Sequence, residues 1–157
     1  MKTFHIFTIF PNILDSYIQE SIIKRAIQKK VISIKRHDIR SFAKDKHRTV
    51  DDTPYGGGPG MVMMIEPIYK ALKKLKVFPS KKTTHIILLS PRGKKFDTAM
   101  AKRLAKYNTL SFICGRYEAI DERVAENIAD EIVSIGNYTL SGGELPAMVM
   151  IETISRF

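Results

Sequence analysis

Apolar strand-like runs alternate with helix-like segments along this 157-residue chain. The strand-like runs are rich in β-branched and aromatic residues and occupy residues 3–10, 31–38, 85–90, 110–115 and 131–136. The helical segments repeat apolar residues at a spacing of three or four; the first begins at Asn12, and the others occupy 66–75, 97–107, 121–129 and 144–157. Strands that alternate with helices form a mostly parallel sheet covered on both faces. The sequence therefore predicts one α/β domain.

Three of the predicted strands end in loops that carry polar and glycine residues. These loops span residues 88–93, 114–121 and 134–146. Ligands of parallel sheets bind beyond the carboxyl ends of the strands, so neighbouring strands would bring the three loops into one cleft. The loops contain tyrosines, carboxylates and two arginines, of which Arg116 is the candidate for chemistry, but no histidine, and no Ser-His-Asp set is apparent. We expect a site that orients substrates, with any nucleophile supplied by a substrate.

The charge of the chain is strongly positive and unevenly distributed. The net charge is +10, made of +7 over residues 1–50, −3 over 51–69, +11 over 70–106 and −5 over 107–157. Such a charge favours a polyanionic partner, although lysine-rich helices that simply face solvent remain an equal alternative. Cys114 is the single cysteine, which fits a reducing cytoplasm, and the scattered histidines predict no metal site. No apolar run reaches the roughly 20 residues of a membrane span.

A glycine-rich stretch, DDTPYGGGPGMVMM, occupies residues 51–64. It is not a P-loop, because no lysine follows Gly60 before Lys70. It is not a dinucleotide fingerprint either, because it does not open a helix after the first strand, and two aspartates beside it would repel phosphate. Tyr55 and the methionines favour burial over a flexible linker.

The loop LSGGELPAM, residues 140–148, precedes the last predicted helix. Ser141 and Glu144 have the spacing of a capping box, whereas Pro146 suggests the first helical position with Leu145 as the cap. The sequence leaves both alternatives open. In either case Gly142 and Gly143 expose backbone groups that can read the edge of a purine, although an ordinary strand-to-helix turn has the same composition.

Five segments appear in the order found in bacterial tRNA (guanine-N1)-methyltransferases, which modify guanine 37. They are FPNIL, DIRSFAKDKHRTVDDTPYGGGPGMVM, LLSPRGKKF, CGRYEAIDERV and SIGNYTLSGGELPAMVMI. The chain resembles this family, a branch of the SPOUT methyltransferases, over nearly all of residues 1–157. The resemblance implies a Rossmann-like, mostly parallel α/β domain with a C-terminal deep trefoil knot, although knots are otherwise almost absent from proteins.

The resemblance also implies the site. S-adenosylmethionine would bind in the knot, and the matching cofactor-binding residues are Leu89, Ser90, Pro91, Gly115, Tyr117, Glu118, Ile135, Gly136, Asn137, Tyr138, Thr139, Leu140, Gly142, Gly143 and Pro146. The matching substrate-binding residues are Asp52, Tyr55, Gly58, Pro59, Gly60 and Arg116. Arg156 matches the catalytic arginine that stabilises charge on guanine O6. Two positions depart from the family pattern, because Asn137 replaces an aspartate and Ala119 replaces a glycine.

Members of the family are cytoplasmic homodimers that act on tRNA, so we expect tRNA and a second copy as partners, and neither DNA nor a membrane. In the family a small helical C-terminal domain and an aspartate base follow this region. Because the helical pattern runs to Phe157 without a stop signal, we expect this chain to lack both. Two other classes remain open at this point, namely a non-catalytic RNA-binding module and a nucleotide-dependent enzyme of phosphate chemistry.

Overall fold

The computed structural model describes residues 1–157, which form eight strands and six α-helices. The strands are β1 (Lys2–Thr8), β2 (Ile32–Asp38), β3 (Asp51–Asp52), β4 (Val62–Met63), β5 (Thr84–Lys95), β6 (Thr109–Cys114), β7 (Ala119–Ile120) and β8 (Glu131–Ser134). The helices are α1 (Asp15–Ile18), α2 (Ser21–Gln28), α3 (Ile65–Lys74), α4 (Thr98–Leu104), α5 (Glu122–Asn127) and α6 (Glu144–Ile154). A 3₁₀ turn (Ile39–Phe42) follows β2. The predicted alternation is confirmed.

Five strands form the central sheet in the order β2-β1-β6-β5-β8, with every neighbouring pair parallel. The central strands β1, β5 and β6 contain buried, largely apolar runs because both faces of the sheet are covered there, whereas the edge strand β2 alternates apolar and polar residues and is partly exposed. One face packs on α1, α2, α4 and α6, with Phe4, Ile6 and Phe112 at the centre. The other face packs on α3 and α5, with Phe7, Ile86 and Ile113 at the centre. The sheet thus separates two hydrophobic cores, with β2 and β8 at its edges.

The region after β1 differs from the sequence prediction of one helix from Asn12. The structure has two helices, α1 and α2, separated at Gln19 and Glu20. Ser21 adopts φ of +50°, a left-handed conformation that a continuous α-helix does not allow. The apolar spacing continues across this break, so periodicity alone could not reveal it.

The segment 41–64, expected to be a loop, contains secondary structure. β3 pairs antiparallel with β4, and β4 pairs parallel with β7, so that Val62 faces Ala119 and Met63 faces Ile120. This small second sheet lies at the carboxyl end of β6. It fastens the glycine-rich stretch to the loop that follows β6.

The loop predicted over residues 88–93 is instead part of β5, which is broken by a register shift. The strand continues to Lys95, and the register with β8 shifts so that both Leu89 and Lys94 pair with Val133. A side chain at Gly93 would lie 2.5 Å from the backbone nitrogen of Val133. Phe96 N then donates to Ser134 O at 2.8 Å. The chain therefore wraps around β8 so closely that only glycine fits at position 93.

Two histidines pair on the sheet face that carries Phe7. His5 Nδ1 lies 2.8 Å from His37 Nε2, and the two rings stack with centroids 5.0 Å apart. Burial lowers the pKa of His5 to about 4, assisted by the nearby positive charges of His37 and Lys35. Burial also lowers the pKa of His37, with Lys35 contributing. The pair is therefore neutral at pH 7, where one imidazole can donate and the other accept.

We expect this pair to make the fold acid-sensitive. The pKa of His5 is about 4 in the folded protein and about 6.5 in the unfolded chain. Between these pH values the unfolded chain binds a proton at His5 and the folded protein does not. The contribution of His5 to the free energy of unfolding is complete above pH 6.5 and is lost as the pH falls toward 4. The free energy of unfolding should fall by about 1–2 kcal/mol between pH 7.5 and 5 from His5 alone. Denaturant titrations of the wild type and His5→Gln at both pH values measure it; equal falls in the two proteins would contradict it.

Candidate functional site

A cleft of about 490 Å³ opens at the carboxyl ends of β5, β6 and β8. The three loops singled out in the sequence all contribute to its walls, together with the N-terminal end of α5. Apolar and polar groups alternate around it, and its size is that of a small-molecule site. The parallel sheet thus brings together residues that lie up to about 60 positions apart in the chain.

Most residues proposed for cofactor binding line this cleft. The lining set contains Leu89, Ser90, Pro91, Gly115, Tyr117, Glu118, Ile135, Tyr138, Thr139, Leu140, Gly142, Gly143 and Pro146. Gly136 and Asn137, from the same proposed set, do not line it. Arg116, proposed for substrate binding, does. The departure at Asn137 therefore affects the back of a loop rather than the wall of the cleft.

Sequence reasoning missed several residues that line the cleft. They are Leu88, Arg92, Ala119, Ile120, Glu122, Ala125, Val133, Ser134 and Ser141. Six of them lie within the three loops predicted to form the cleft but were assigned no role there, and Val133 directly precedes the third loop. Glu122 and Ala125 lie on α5, and only the tertiary packing places that helix at the cleft. Arg92 Nη2 and Glu122 Oε2 are 2.6 Å apart and join two walls.

A buried ion pair supports the cleft from behind. Glu144, only 2% exposed, accepts hydrogen bonds from Thr8 Oγ1 at 2.5 Å and from Arg116 Nε at 3.1 Å. Arg116 Nη2 lies 2.9 Å from the same carboxylate, and its guanidinium carbon is 4.8 Å from the centroid of the Phe10 ring. A side chain at Gly142 would lie 2.5 Å from Glu144 Oε2. Three segments distant in sequence thus converge on one carboxylate.

The start of α6 agrees with neither capping alternative. Gly143 is the N-cap, without any side-chain hydrogen bond, so Ser141 does not close a capping box and Leu145 is not the cap. Gly143 N donates to Gly115 O at 3.0 Å, which joins two walls of the cleft. This N–H is consequently committed within the protein and is not free to read a purine. Burial, with the Glu144 charge, raises the pKa of the adjacent Cys114 thiol well above its usual range, so the thiol is inert.

Tyr117 stands in the second wall in a strained backbone conformation. Its φ is +62°, in the left-handed region that tyrosine seldom adopts. Arg40 Nη2 donates to Tyr117 Oη at 3.2 Å, and Met61 O accepts from the backbone N of Glu118 at 3.2 Å. These two contacts tie the strained residue to the 3₁₀ turn after β2 and to the glycine-rich stretch.

The glycine-rich stretch does not enter the cleft of its own chain. Asp52, Tyr55, Gly58, Pro59 and Gly60, all proposed for substrate binding, lie outside the cleft lining. Tyr55 is 94% exposed, contrary to the burial expected from the sequence. Its hydroxyl accepts from Arg123 Nη2 at 3.4 Å, and Arg123 pairs with Asp121, the N-cap of α5. The loop therefore projects outward.

Arg156 also lies away from the cleft. It follows the end of α6, its side chain is 67% exposed, and its contact is Glu152 one turn earlier, at 3.7 Å. The structure thus separates the residues proposed from the sequence into a cleft group on three loops and an outward group formed by Arg156 and the glycine-rich stretch.

The fold and the position of the cleft together indicate the general class of protein. A parallel α/β domain whose glycine-bearing loops enclose a cleft at the strand ends is a small-molecule-binding α/β domain. A family model described as "tRNA (Guanine-1)-methyltransferase TrmD" matches residues 1–157. The chain belongs to this family.

Relatives and one solved structure agree with this assignment. A tRNA (guanine-N(1)-)-methyltransferase of Clostridioides difficile is 46% identical over 98% of this chain and 66% of its own length. A protein of that name from Dictyoglomus turgidum is 50% identical over 99% of this chain and 62% of its own. A crystal structure of tRNA (m1G37) methyltransferase from Aquifex aeolicus has a TM-score of 0.87 and 39% identity, over 99% of this chain and 69% of that one. The chain spans about two thirds of the length of these curated relatives.

Removing one partner of the buried pair should destabilise the protein. Glu144→Ala leaves the Arg116 charge largely buried and uncompensated, which typically costs about 3–5 kcal/mol. The double variant Arg116→Met/Glu144→Leu replaces both charges with apolar groups and should recover at least half of that loss. Chemical denaturation of the three proteins at pH 7.5 measures both effects. A loss below about 1 kcal/mol for Glu144→Ala would show that the pair is not structurally important.

Proposed function

We propose that the protein transfers a methyl group from S-adenosylmethionine to N1 of guanine 37 in tRNA. The observation that carries the proposal is the match of the whole of residues 1–157 to the tRNA (guanine-1)-methyltransferase family. The curated relatives are named tRNA (guanine-N(1)-)-methyltransferases, and the Aquifex protein is named a tRNA (m1G37) methyltransferase, which adds position 37. No helix of the protein has the length and apolar content needed to cross a bilayer. We place the reaction in the cytoplasm, where tRNA is found.

The residues of the cleft fit S-adenosylmethionine. The volume of about 490 Å³ suits a nucleoside with a short chain attached, and Leu89, Ile135, Leu140 and Pro146 give an apolar seat for a purine. Glycine-bearing loops leave backbone groups near the ligand, and Glu118 offers a carboxylate to a cation. When bound, this group supplies an electrophilic methyl on a sulfonium. The walls hold it, orient it and exclude water.

The remaining chemistry concerns guanine. Its N1 must lose a proton to become a nucleophile, and negative charge then develops on O6, where an arginine can stabilise it. We assign that second role to Arg156. We assign the contact with the guanine to Arg116 and to the glycine-rich stretch, including Asp52 and residues 55–60. No residue within 1–157 is assigned as the base; substantial transfer by this chain alone would place it at Glu118 or Asp52.

We further propose that β8 passes through the loop of residues 90–96 and thereby begins a trefoil knot. Three contacts support the proposal. Val133 pairs with residues on both limbs of that loop, Gly93 packs against the Val133 backbone, and Phe96 bonds to Ser134. A loop that encloses a strand cannot leave it without unfolding, so the cleft walls formed by residues 88–92 and 133–135 stay together.

We propose a homodimer because Arg156 and the glycine-rich stretch, which are proposed to act on the guanine, do not line the cleft of their own chain. In a dimer they could reach the cleft of the other copy. Along α6, Leu145 and Val149 are exposed one turn apart. Phe10 and Tyr17 extend this apolar surface, since Phe10 stacks on Arg116 beside Glu144 and Tyr17 hydrogen-bonds to Glu152. Exposed large apolar side chains in one continuous patch indicate a protein interface. About a two-fold axis, such a patch would cover itself and bring Arg156 of one copy toward the cleft of the other.

Dimerisation should depend on this apolar surface. Val149→Glu introduces a charge into a buried patch and is expected to convert the protein to a monomer of 17.9 kDa. Light scattering coupled to size exclusion measures the mass at concentrations from micromolar to millimolar. Gln28→Glu, on the exposed part of α2, adds the same charge outside the patch and should leave the dimer intact. A wild-type mass of one chain at every concentration would reject the dimer.

Cofactor binding should depend on the back of the cleft. A valine at position 142 would overlap the Arg116–Glu144 pair and displace the loop that carries Gly143. We expect Gly142→Val to weaken S-adenosylmethionine binding by about 100-fold or more, equivalent to about 2.7 kcal/mol. Isothermal titration provides the measurement, with circular dichroism to confirm folding. Gly56→Ala is the matched control, because nothing lies within 4 Å of its added methyl group. Wild-type-like titration of Gly142→Val would refute the cofactor site.

Methyl transfer and cofactor binding should separate in the 157-residue chain. Without an assigned base, we expect normal cofactor titration but little transfer of radiolabelled methyl groups to tRNA, since a positioned base contributes about 10² to 10⁴ in rate. Arg156→Ala should reduce whatever transfer is measured, with cofactor affinity unchanged. A chain that binds tRNA but shows no heat with S-adenosylmethionine would instead favour a non-catalytic RNA-binding module.

A further inference from the structure

A basic surface that the cleft does not use lies on α3 and the loop beside it. We define the α3 basic surface as Lys73, Lys74 and Lys76 together with Lys44, Lys46 and Arg48 of the preceding loop. α3 buries Ile68, Ala71 and Leu72 against the sheet, so its lysines point to solvent. None of the six residues lines the cleft.

The two parts of this surface are joined by direct contacts. Lys44 Nζ lies 2.6 Å from Glu66 Oε1, and Lys74 Nζ lies 5.7 Å from the centroid of Phe42 in the 3₁₀ turn. Met64, the N-cap of α3, donates to Val50 O at 2.8 Å where the loop ends. The loop therefore runs alongside the helix, with Phe42 near its C-terminal end and Lys44 and Val50 near its N-terminal end, and this places Lys44 and Lys74 on the same side of the protein.

Aromatic rings hold two of these ammonium groups against the protein. Lys73 Nζ is 5.6 Å from the ring of Tyr69, which packs edge-to-face on Phe78, and Lys74 lies over Phe42. Lys44 and Lys70 have a carboxylate partner in Glu66, whereas no carboxylate pairs with Lys73 or Lys74. A lysine already held in place loses less conformational entropy when it binds an anion. These two charges are both available and partly preorganised.

The surface leads directly to the glycine-rich stretch. The loop of residues 43–50 continues into β3, and α3 begins two residues after β4, so both parts adjoin the hairpin that carries residues 54–60. Given the proposed function, on which this step rests, a tRNA places guanine 37 at that hairpin. Its neighbouring phosphates would then extend over α3. RNA fits better than an acidic protein or a membrane, because its backbone already has to pass this point.

We propose that the α3 basic surface binds the phosphate backbone of the tRNA, at a place separate from the methyl-transfer cleft. Lys73 and Lys74 contact the phosphates, and their side chains are held in position by the rings of Tyr69 and Phe42. The surface carries electrostatic affinity without sequence readout, since ammonium groups on phosphates position a nucleic acid and do not read bases.

The test is the salt dependence of tRNA binding by the 157-residue chain. Fluorescence anisotropy with a labelled, transcribed tRNA, in the presence of S-adenosylmethionine, gives the slope of log affinity against log salt between 50 and 250 mM KCl. That slope is negative, and each lost phosphate contact reduces its magnitude by about 0.7–0.9. Lys73→Ala/Lys74→Ala should therefore reduce the magnitude of the slope by about 1.5 and weaken tRNA binding at 100 mM salt by about tenfold or more.

The matched control removes two charges from the opposite face of the sheet. Lys24→Ala/Lys29→Ala changes exposed lysines of α2 and its C-cap, and we expect an unchanged slope. Cofactor titration should be normal in both variants, which verifies folding and tests the cleft independently. Equal slopes for the wild type and Lys73→Ala/Lys74→Ala would overturn the surface alone. So would an equal loss in the control, or a loss of binding to phosphatidylserine vesicles with tRNA binding intact. Failure of the wild type to bind tRNA would overturn the surface and the tRNA assignment together, while cofactor binding would stand.

Discussion

The carboxylate of Glu144 is the contact on which the cleft depends. It sits in the first turn of α6, where a negative charge is favoured by the helix dipole, and it accepts hydrogen bonds from Thr8 at the end of β1 and from Arg116 after β6. These partners are 136 and 28 positions away in sequence. A carboxylate this deeply buried is stable only when its partners satisfy it. The pair therefore fixes where α6 begins relative to the sheet, and with it the positions of Gly142 and Gly143.

Close backbone approach fixes the opposite wall. Gly93 lies so near Val133 that no side chain fits, and β8 is held between β5 and the residues that follow its break. A backbone hydrogen bond from Gly143 N to Gly115 O joins the loop of residues 134–146 to the loop of residues 114–121. The cleft is thus bounded by main chain on several sides. Main-chain walls move less than side chains, and this suits the proposed reaction, which requires two substrates to be held in line.

The sheet could be predicted from sequence because every central strand is buried on both faces and reads as an apolar run. The rule for ligands at strand ends then placed Tyr117 and Tyr138 at one cleft. The break before Ser21 was missed because apolar spacing does not record a left-handed residue. The break in β5 depends on Val133, about forty residues later, and no local pattern at Pro91 reports it. The partner of Glu144 was missed for the same reason.

The exposed position of Tyr55 has a consequence for how the site works. Glycine at 56–58 and an unburied tyrosine are costly unless something covers them, since glycine loses more chain entropy on ordering than other residues. Within one chain the stretch is anchored through Met61 and Met63 to the loop of Tyr117 and Glu118, yet none of residues 55–60 lines the cleft to which this loop contributes. A single chain therefore connects the cleft to the residues proposed for guanine contact through the pairing of β4 with β7. Under the homodimer proposal, the pairing of β4 with β7 would join the proposed guanine contacts of each copy, through continuous backbone, to the cleft of the same copy.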